Sequence, residues 1–358
     1  MSPTVVGRPI GFRGWFLRVL ALGYPLSLLL IVVALRVVGE RWWGTTVLMY
    51  LPRKVFFVPL PFLALVLLWR LPRRWLLTQV AAVPLLVFPL LGLRLSLPSA
   101  ASAQGGAAQL RVYSLNIAGG KMGVDGVAAQ IREANPDLVF LQETWADTGE
   151  RLRDSLPEYH FHLAGQLSVA SRYPLLDVFE PPKISHRGVL RSPRWLRCRI
   201  ALPGGHTVVV YDVHPISPRE GFAEMRGEGI RSEVLSGRIL DNRDAWEDIR
   251  ANAELRCAQV QGAAEDASRS KEPVIMAGDT NLPGLSWAFG HYLGGLQDGF
   301  SEAGNGLGYT FPAPKRPWMR IDRILADGNF RFVSFSVIGK RVSDHLAVVA
   351  DIELRPRH

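Results

Sequence analysis

Over the last two-thirds of this chain, apolar β-branched runs repeatedly stop on an acidic or polar residue, and this constrains the fold more than any other feature. Val208-Val209-Val210-Tyr211 runs into Asp212, and Val274-Ile275-Met276-Ala277-Gly278 runs into Asp279. In order, the polar blocks are Ser-Leu-Asn116, Leu-Gln-Glu143, Asp212-Val-His214, Gly-Asp279-Thr-Asn281, Arg320-Ile-Asp322 and Ser343-Asp344-His345. Such runs read as buried strands. Strands that end in Asn, Asp, Glu and His can converge their tips on one cleft. The set is rich in oxygen ligands and lacks Cys, which suits a hard cation, Mg²⁺ or Mn²⁺, better than zinc. Such a site neutralises phosphoryl oxygens and activates water, so the expected chemistry is divalent-metal phosphoester hydrolysis.

Apolar residues are not spread evenly. Long runs occupy Val19 to Leu35, Val55 to Trp69 and Trp75 to Leu93. A spanning helix needs about 20 apolar residues, so the expectation is an N-terminal membrane domain, residues 1–94, with about three transmembrane helices. Pro59, Pro61, Pro84 and Pro89 are tolerated in such helices. A cleaved signal peptide explains one run and not three. Residues 1–100 carry 11 Lys and Arg against one acid, Glu40, whereas the remainder carries 30 basic and 31 acidic residues. The net +9 of the whole chain therefore belongs to the membrane segment, which weakens a nucleic-acid reading. The Arg70-Leu-Pro-Arg73-Arg74 turn and Arg8, Arg13 and Arg18 are expected on the cytoplasmic side. Three spans then leave the C-terminal domain outside a bacterial cell membrane.

Residues 95–109 are small, polar and Gly- and Ala-rich, as a linker is. From Leu110 to the end, strands and helices roughly alternate. Strands are expected at Leu110–Asn116, Leu138–Gln142, Leu167–Ser171, Leu196–Leu202, Thr207–Val213, Val274–Gly278, Ile321–Ala326, Phe330–Ile338 and Ala347–Leu354. Helices are expected at Val124–Ala134 and over 238–267, the latter with Trp246, Ile249, Leu255 and Val260 on one stripe. The fold class is α/β, two packed sheets flanked by helices. Residues 215–237 form a long Pro- and Gly-rich connection in which Phe222, Met225 and Ile230 are candidates for a membrane interface; a surface insertion without a role is the equal alternative. Cys198 and Cys257 lie outside any zinc spacing and read either as one bridge or as two buried thiols.

Each polar block has an ordinary reading as a turn or a cap when taken singly. Taken together and in order, they resemble the endonuclease/exonuclease/phosphatase superfamily over about residues 110–354. That resemblance implies a four-layer α/β/β/α sandwich over 110–358 and assigns roles residue by residue. Asn116 and Glu143 would bind the metal, with Asp322 and Asp344 near it. His214 would contact the scissile phosphate, with Asp212 orienting it or lining the substrate site. Asp279 would position and deprotonate water, and Asn281 would bind phosphate. Asp344 and His345 would form an Asp–His dyad stabilising the transition state. Thr310 and Phe311 would line the cleft. Arg323 departs from the aromatic residue commoner after Arg-Ile-Asp in the family.

The superfamily serves nucleic acids, phosphoinositides, sphingomyelin and other phosphoesters, so fold alone does not choose a substrate. A near-neutral catalytic domain and a membrane anchor favour a lipid-linked or small phosphorylated substrate. A nuclease is the enzyme alternative, supported by a patch of Arg187, Arg191, Arg194, Arg197 and Arg199 if those side chains share a face. An inactive membrane-tethered binding module is the non-enzyme alternative.

Overall fold

The computed structural model describes residues 11–96, 109–222, 243–314 and 316–355. Among these, fourteen strands form: β1 (Gln109–Asn116), β2 (Leu138–Gln142), β3 (His160–Ala164), β4 (Leu167–Ser171), β5 (Leu175–Phe179), β6 (Ile184–His186), β7 (Val189–Arg191), β8 (Trp195–Ala201), β9 (Thr207–Val213), β10 (Val274–Asp279), β11 (Gln297–Asp298), β12 (Asp322–Ala326), β13 (Phe330–Val337) and β14 (Val348–Leu354). One six-stranded sheet has the order β13-β14-β1-β2-β4-β3 and the other β11-β12-β10-β9-β8-β5, with β6-β7 a separate ribbon.

Alternation along the strands explains the layers. Val112, Phe140, Val169, Ile200, Val210, Ile275, Ile324 and Ile352 meet between the two sheets. The intervening residues Tyr113, Leu115, Val139 and Leu141 point outward, onto Val127 and Ile131 of the helix Val124–Ala134 and Leu152 of the helix Ala146–Ser155. On the far side, Val209, Tyr211 and Met276 pack on Val260 and Ala263 of the long helix Arg243–Ser268. Three apolar interfaces between four layers give the expected α/β/β/α sandwich. Cys198 and Cys257 are unbridged thiols.

The N-terminal segment forms α1 (Phe12–Val37), α2 (Trp43–Tyr50), α3 (Pro59–Arg70) and α4 (Leu76–Leu85). Three unbroken spans are not what it forms. By length and composition, α1 alone among the described helices is long and apolar enough to cross a membrane. Its 26 residues reach about 39 Å. The second apolar run begins as a 3₁₀ turn, Arg53–Phe57, and α2 and the Arg53–Arg70 stretch are bent by 87°. The third passes from α4 into a π turn, Leu86–Leu90. Prolines mark the first of these breaks, Pro52 before the 3₁₀ turn and Pro59 at the start of α3, whereas Pro25 and Pro84 are accommodated inside α1 and α4. Leu28, Leu35, Leu67, Ala82 and Leu86 are buried among these helices, while Leu30, Phe62 and Val80 are 58%, 66% and 63% exposed.

This segment packs directly on the sandwich. Trp43 stacks on Trp246 of the long helix at 4.8 Å, so Trp246 serves this contact and not the sandwich core. The Glu40 carboxylate accepts from Ser286 Oγ and from the Ala288 N–H at 3.0 Å. The Tyr309 hydroxyl donates to the Leu91 carbonyl at 2.7 Å, and Arg94 exchanges two backbone hydrogen bonds with Gly306 at 2.9 Å. The chain is thus already seated on the sandwich where the linker was expected to begin; residues 97–108 lie outside the described residues.

Candidate active site

The site is the polar rim of the layer between the sheets. Asn116, Gln142, Asp212, His214 and Asp279 keep the parity of the core residues before them, so they point inward where the strands run out. β1 and β2 are parallel, as are β9 and β10, and each sheet brings its C-terminal strand ends to one edge. β12 runs antiparallel to β10, which puts its first residue, Asp322, directly across from Asp279. Glycine is required just before Asp279: Gly278 has φ 142°, and a Cβ there would lie 2.1 Å from the Val213 carbonyl oxygen. Glu143 and Asn281 are held at φ 55° and 49°, a conformation non-glycine residues adopt rarely and one that concentrates at functional sites.

Asn116 ties the first half of the site together. Its Nδ2 donates to Glu143 Oε1 at 3.1 Å and to Asp279 Oδ2 at 3.2 Å, and lies 3.5 Å from His214 Nε2. Two amide hydrogens thus face two carboxylates and the His214 ring nitrogen. His214 Nε2 is itself 3.5 Å from Asp279 Oδ2 and 3.9 Å from Glu143 Oε1. Two carboxylates this close, with Glu143 partly exposed at the edge, are an oxygen donor set that a hard divalent cation would balance. Glu143 and Asp279 present the carboxylate oxygens fitted to hold it, and the Asn116 amide, its oxygen accepting from the Ala118 N–H at 3.0 Å, bonds both of them.

The second half corrects the expected dyad. His345 Nδ1 lies 3.0 Å from both carboxylate oxygens of Asp322, not on Asp344. Asp344 precedes His345 in the loop and is about one-third exposed, with Arg219 Nη2 at 3.9 Å. Asp322 is fully buried and holds the His345 ring, which makes it the orienting carboxylate of the pair. Burial alone would lower the His345 pKa, but Asp322 and Asp279 reverse this and raise it to about 9. Asp279, Asp322 and His345 also offer ligand atoms within 4.8 Å of one another, a second buried group able to hold a cation. Burial likewise pushes Asp279 up, yet the neighbouring His345 and His214 outweigh it and hold the carboxyl well below the usual range. The Asn281 N–H pins that carboxylate at 2.9 Å. Ser343 Oγ donates to the Asn116 carbonyl at 2.7 Å, fixing the His345 loop to β1.

A cavity of about 530 Å³ opens over this centre and is lined by Glu143, His214, Asp279, Asn281, Phe311, Asp344 and His345. Phe311 packs against the His345 ring at 4.5 Å. Thr310 is fully buried behind it and contributes to holding Asp322, so it backs the site without lining it. Asp212 is also off the cavity. It stops one residue short of the strand end and bridges the sheets, accepting from Gln142 Nε2 at 2.6 Å and the Ser168 N–H at 3.1 Å. Burial, only partly offset by these bonds, raises its pKa well above the ordinary value.

Sequence reasoning missed Lys121 and Arg219, which also line the cavity; neither belongs to a strand-end block. It missed Val47, Tyr50 and Leu51 as well, because they come from the apolar N-terminal segment. Of the 215–237 connection, Phe222 lines the cavity, while Met225 and Ile230 lie outside the described residues. Arg323, the departure from the family pattern, is fully buried: it donates to the Leu282 carbonyl at 2.9 Å, pairs with Asp298 at 3.3 Å and covers the Phe289 ring at 3.9 Å. Four of the five arginines in the candidate patch, all but Arg191, are ion-paired with acids. Arg187 pairs with Glu247 and Glu254, Arg194 with Glu220, Arg197 with Asp266 and Arg199 with Glu272.

Comparison with known proteins agrees with this geometry. Residues 113–345 match the profile of the Endonuclease/Exonuclease/phosphatase family. An endonuclease/exonuclease/phosphatase from Bacteroides vulgatus is 18% identical, over 69% of this chain and 100% of its own, at TM-score 0.53. A family protein from Bacteroides thetaiotaomicron is 14% identical over 70% of this chain and 99% of its own, also at 0.53. A mannosyl-6-phosphatase from Bacteroides thetaiotaomicron is 14% identical over 68% and 99%, at 0.50. No curated protein matches the chain.

Proposed function

Because the chain belongs to the endonuclease/exonuclease/phosphatase family, we propose that it is a membrane-anchored, divalent-metal-dependent phosphoesterase acting on a lipid-linked or small phosphorylated substrate. The observation that carries this reading is the meeting of Asn116, Glu143, His214, Asp279 and His345, from strand ends and loops of both sheets, at one cavity. A cation would be held by the Glu143 and Asp279 carboxylates that Asn116 joins, and it would supply charge neutralisation at the phosphoryl oxygens and acidify a water.

The side chains do the rest. Asp279, pinned by the Asn281 N–H, is placed to orient the attacking water and to take up its proton. His214 Nε2 faces the same oxygen cluster and is placed to contact the phosphoryl group. His345, held by Asp322 and Phe311, presents its Nε2 side 3.7 Å from Asp279 Oδ2 and stabilises negative charge growing on the phosphoryl group and the leaving oxygen. The ion-paired arginines supply little field for a polyanion, which weighs against DNA or RNA as substrate.

Two features support anchoring with the catalytic domain on the extracytoplasmic side. Arg18 lies over the Trp75 ring at 5.5 Å, so the start of α1 and the Arg70–Arg74 turn share one end of the helical segment. Glu40, at the other end, contacts the sandwich. Arg18 and the compact Arg70–Arg74 turn thus gather at the far end, while Arg41 and Arg94 contact the sandwich, and the compact cluster is the arrangement expected of a cytoplasmic face. The test uses the full chain in detergent: release of 4-nitrophenol from bis(4-nitrophenyl) phosphate with Mg²⁺ or Mn²⁺. Activity abolished by chelation and restored by the metal supports the reading. Activity indifferent to chelation, or DNA nicking without small-ester hydrolysis, overturns it.

A further inference from the structure

The cavity has two kinds of wall. Its floor carries the charged centre, but Val47, Tyr50, Leu51, Phe222, Trp318 and Met319 give it an apolar flank. Half of that flank comes from the N-terminal segment, from α2 and the residue that caps it. The placement is fixed by hydrogen bonds. The Tyr50 hydroxyl donates to the Asn281 carbonyl at 2.7 Å and accepts from Arg256 Nη1 at 2.6 Å. Arg256 is fully buried and also donates to the Ile216 carbonyl at 3.1 Å, just beyond His214. The Phe222 ring meets the Tyr50 ring edge-on at 6.0 Å. α2 is therefore locked against both loops that carry the reacting groups.

The flank leads outward. Leu51 is 39% exposed, and a few residues on, Val55, Phe57 and Val58 are also exposed. They continue into the apolar outer faces of α1, α3 and α4, where Leu30, Phe62 and Val80 face outward. An apolar strip thus runs from the charged centre to a surface that suits hydrocarbon and not water. A small phosphorylated substrate would occupy the floor alone and leave the flank wet. A phosphoester carrying a hydrocarbon chain would fill both.

We propose that this flank is a subsite for the hydrocarbon chain of an amphiphilic phosphoester, so that the N-terminal segment completes the active site as well as anchoring it. This rests on the phosphoesterase reading and names the substrate class for it. Val47 and Leu51 are specificity-determining residues. Tyr50, which touches the Asn281 loop, positions the floor.

The experiment compares two diesters with one leaving group, methyl 4-nitrophenyl phosphate and dodecyl 4-nitrophenyl phosphate, presented to the full chain in detergent micelles with Mg²⁺. The wild type is expected to prefer the dodecyl ester by about tenfold or more in kcat/KM. Leu51→Asp and, from the catalytic domain, Phe222→Ser should bring that ratio toward one, chiefly through KM. Leu190→Asp, an exposed apolar position in β7 outside the cavity, should keep it and controls for micelle effects. Equal turnover of the two esters by the wild type, or an unchanged ratio in both cavity variants, overturns the subsite and leaves the phosphoesterase standing. Failure to cleave either ester removes both.

Discussion

The sandwich and the N-terminal helices use the same apolar residues in opposite ways. In the helix Val124–Ala134, Val124, Val127 and Ile131 are buried, while the charged residues Asp125, Arg132 and Glu133 are exposed. In α1, Leu28 and Leu35 are buried, yet Leu22, Leu26, Leu29, Leu30 and Val33 are exposed. A helix patterned for water hides its apolar stripe, whereas one that is apolar all round must be buried or bathed in lipid. The site sits where the two regimes meet, with its charges from the first and part of its wall from the second.

The sharpest way to break this comparison is at the charged rim. Asp279→Asn or His345→Ala should lower kcat by about 10²–10⁴ without unfolding the chain. Asp322→Asn should cost far more activity than Asp344→Asn, since Asp322 holds the His345 ring; equal effects would restore Asp344 as the dyad partner. Next in size is the interior. Phe140→Ala, between the sheets, should destabilise by about 3–5 kcal/mol in thermal or denaturant unfolding, whereas Leu30→Ala in detergent should barely move the midpoint.

Asp212 sharpens the contrast between two buried acids on neighbouring strands, Ala277 of β10 being registered against Asp212 of β9. Asp212→Ala should cost about 1–3 kcal/mol of stability by stranding Gln142 and the Ser168 N–H. Asp212→Asn should cost less, and both should retain most of the catalytic rate. The smallest effect expected is with pH. Asp298 is raised by burial, but Arg320 and Arg323 outweigh this and hold it below the usual carboxylate range. Its folded pKa being the lower, the stabilisation is complete above the unfolded value of about 4 and is lost as pH falls through the folded one. Acid unfolding should steepen below that point, and Asp298→Asn should flatten the dependence.

The fold was largely legible because period-two runs carry their own orientation. Once Val208 and Val210 face the opposite sheet, Asp212 and His214 must as well. The same parity could not say how far along the strand the core ends and the cavity begins, so Asp212 read as a site residue. Nor could adjacency reveal that His345 bonds Asp322, 23 residues away, and not its neighbour Asp344. In the helical segment, composition pointed to a membrane but not to where the helices break. No pattern in residues 43–51 marks them as part of a phosphoesterase cleft, because their role depends on docking and not on periodicity.

The most direct measurement is metal-dependent phosphodiester hydrolysis by the full chain, wild type beside Asp279→Asn, with folding of each checked by circular dichroism. The strand-end site predicts turnover in Mg²⁺ or Mn²⁺ that vanishes on chelation and falls by at least about a hundredfold in the folded variant. Undiminished turnover by folded Asp279→Asn would contradict it.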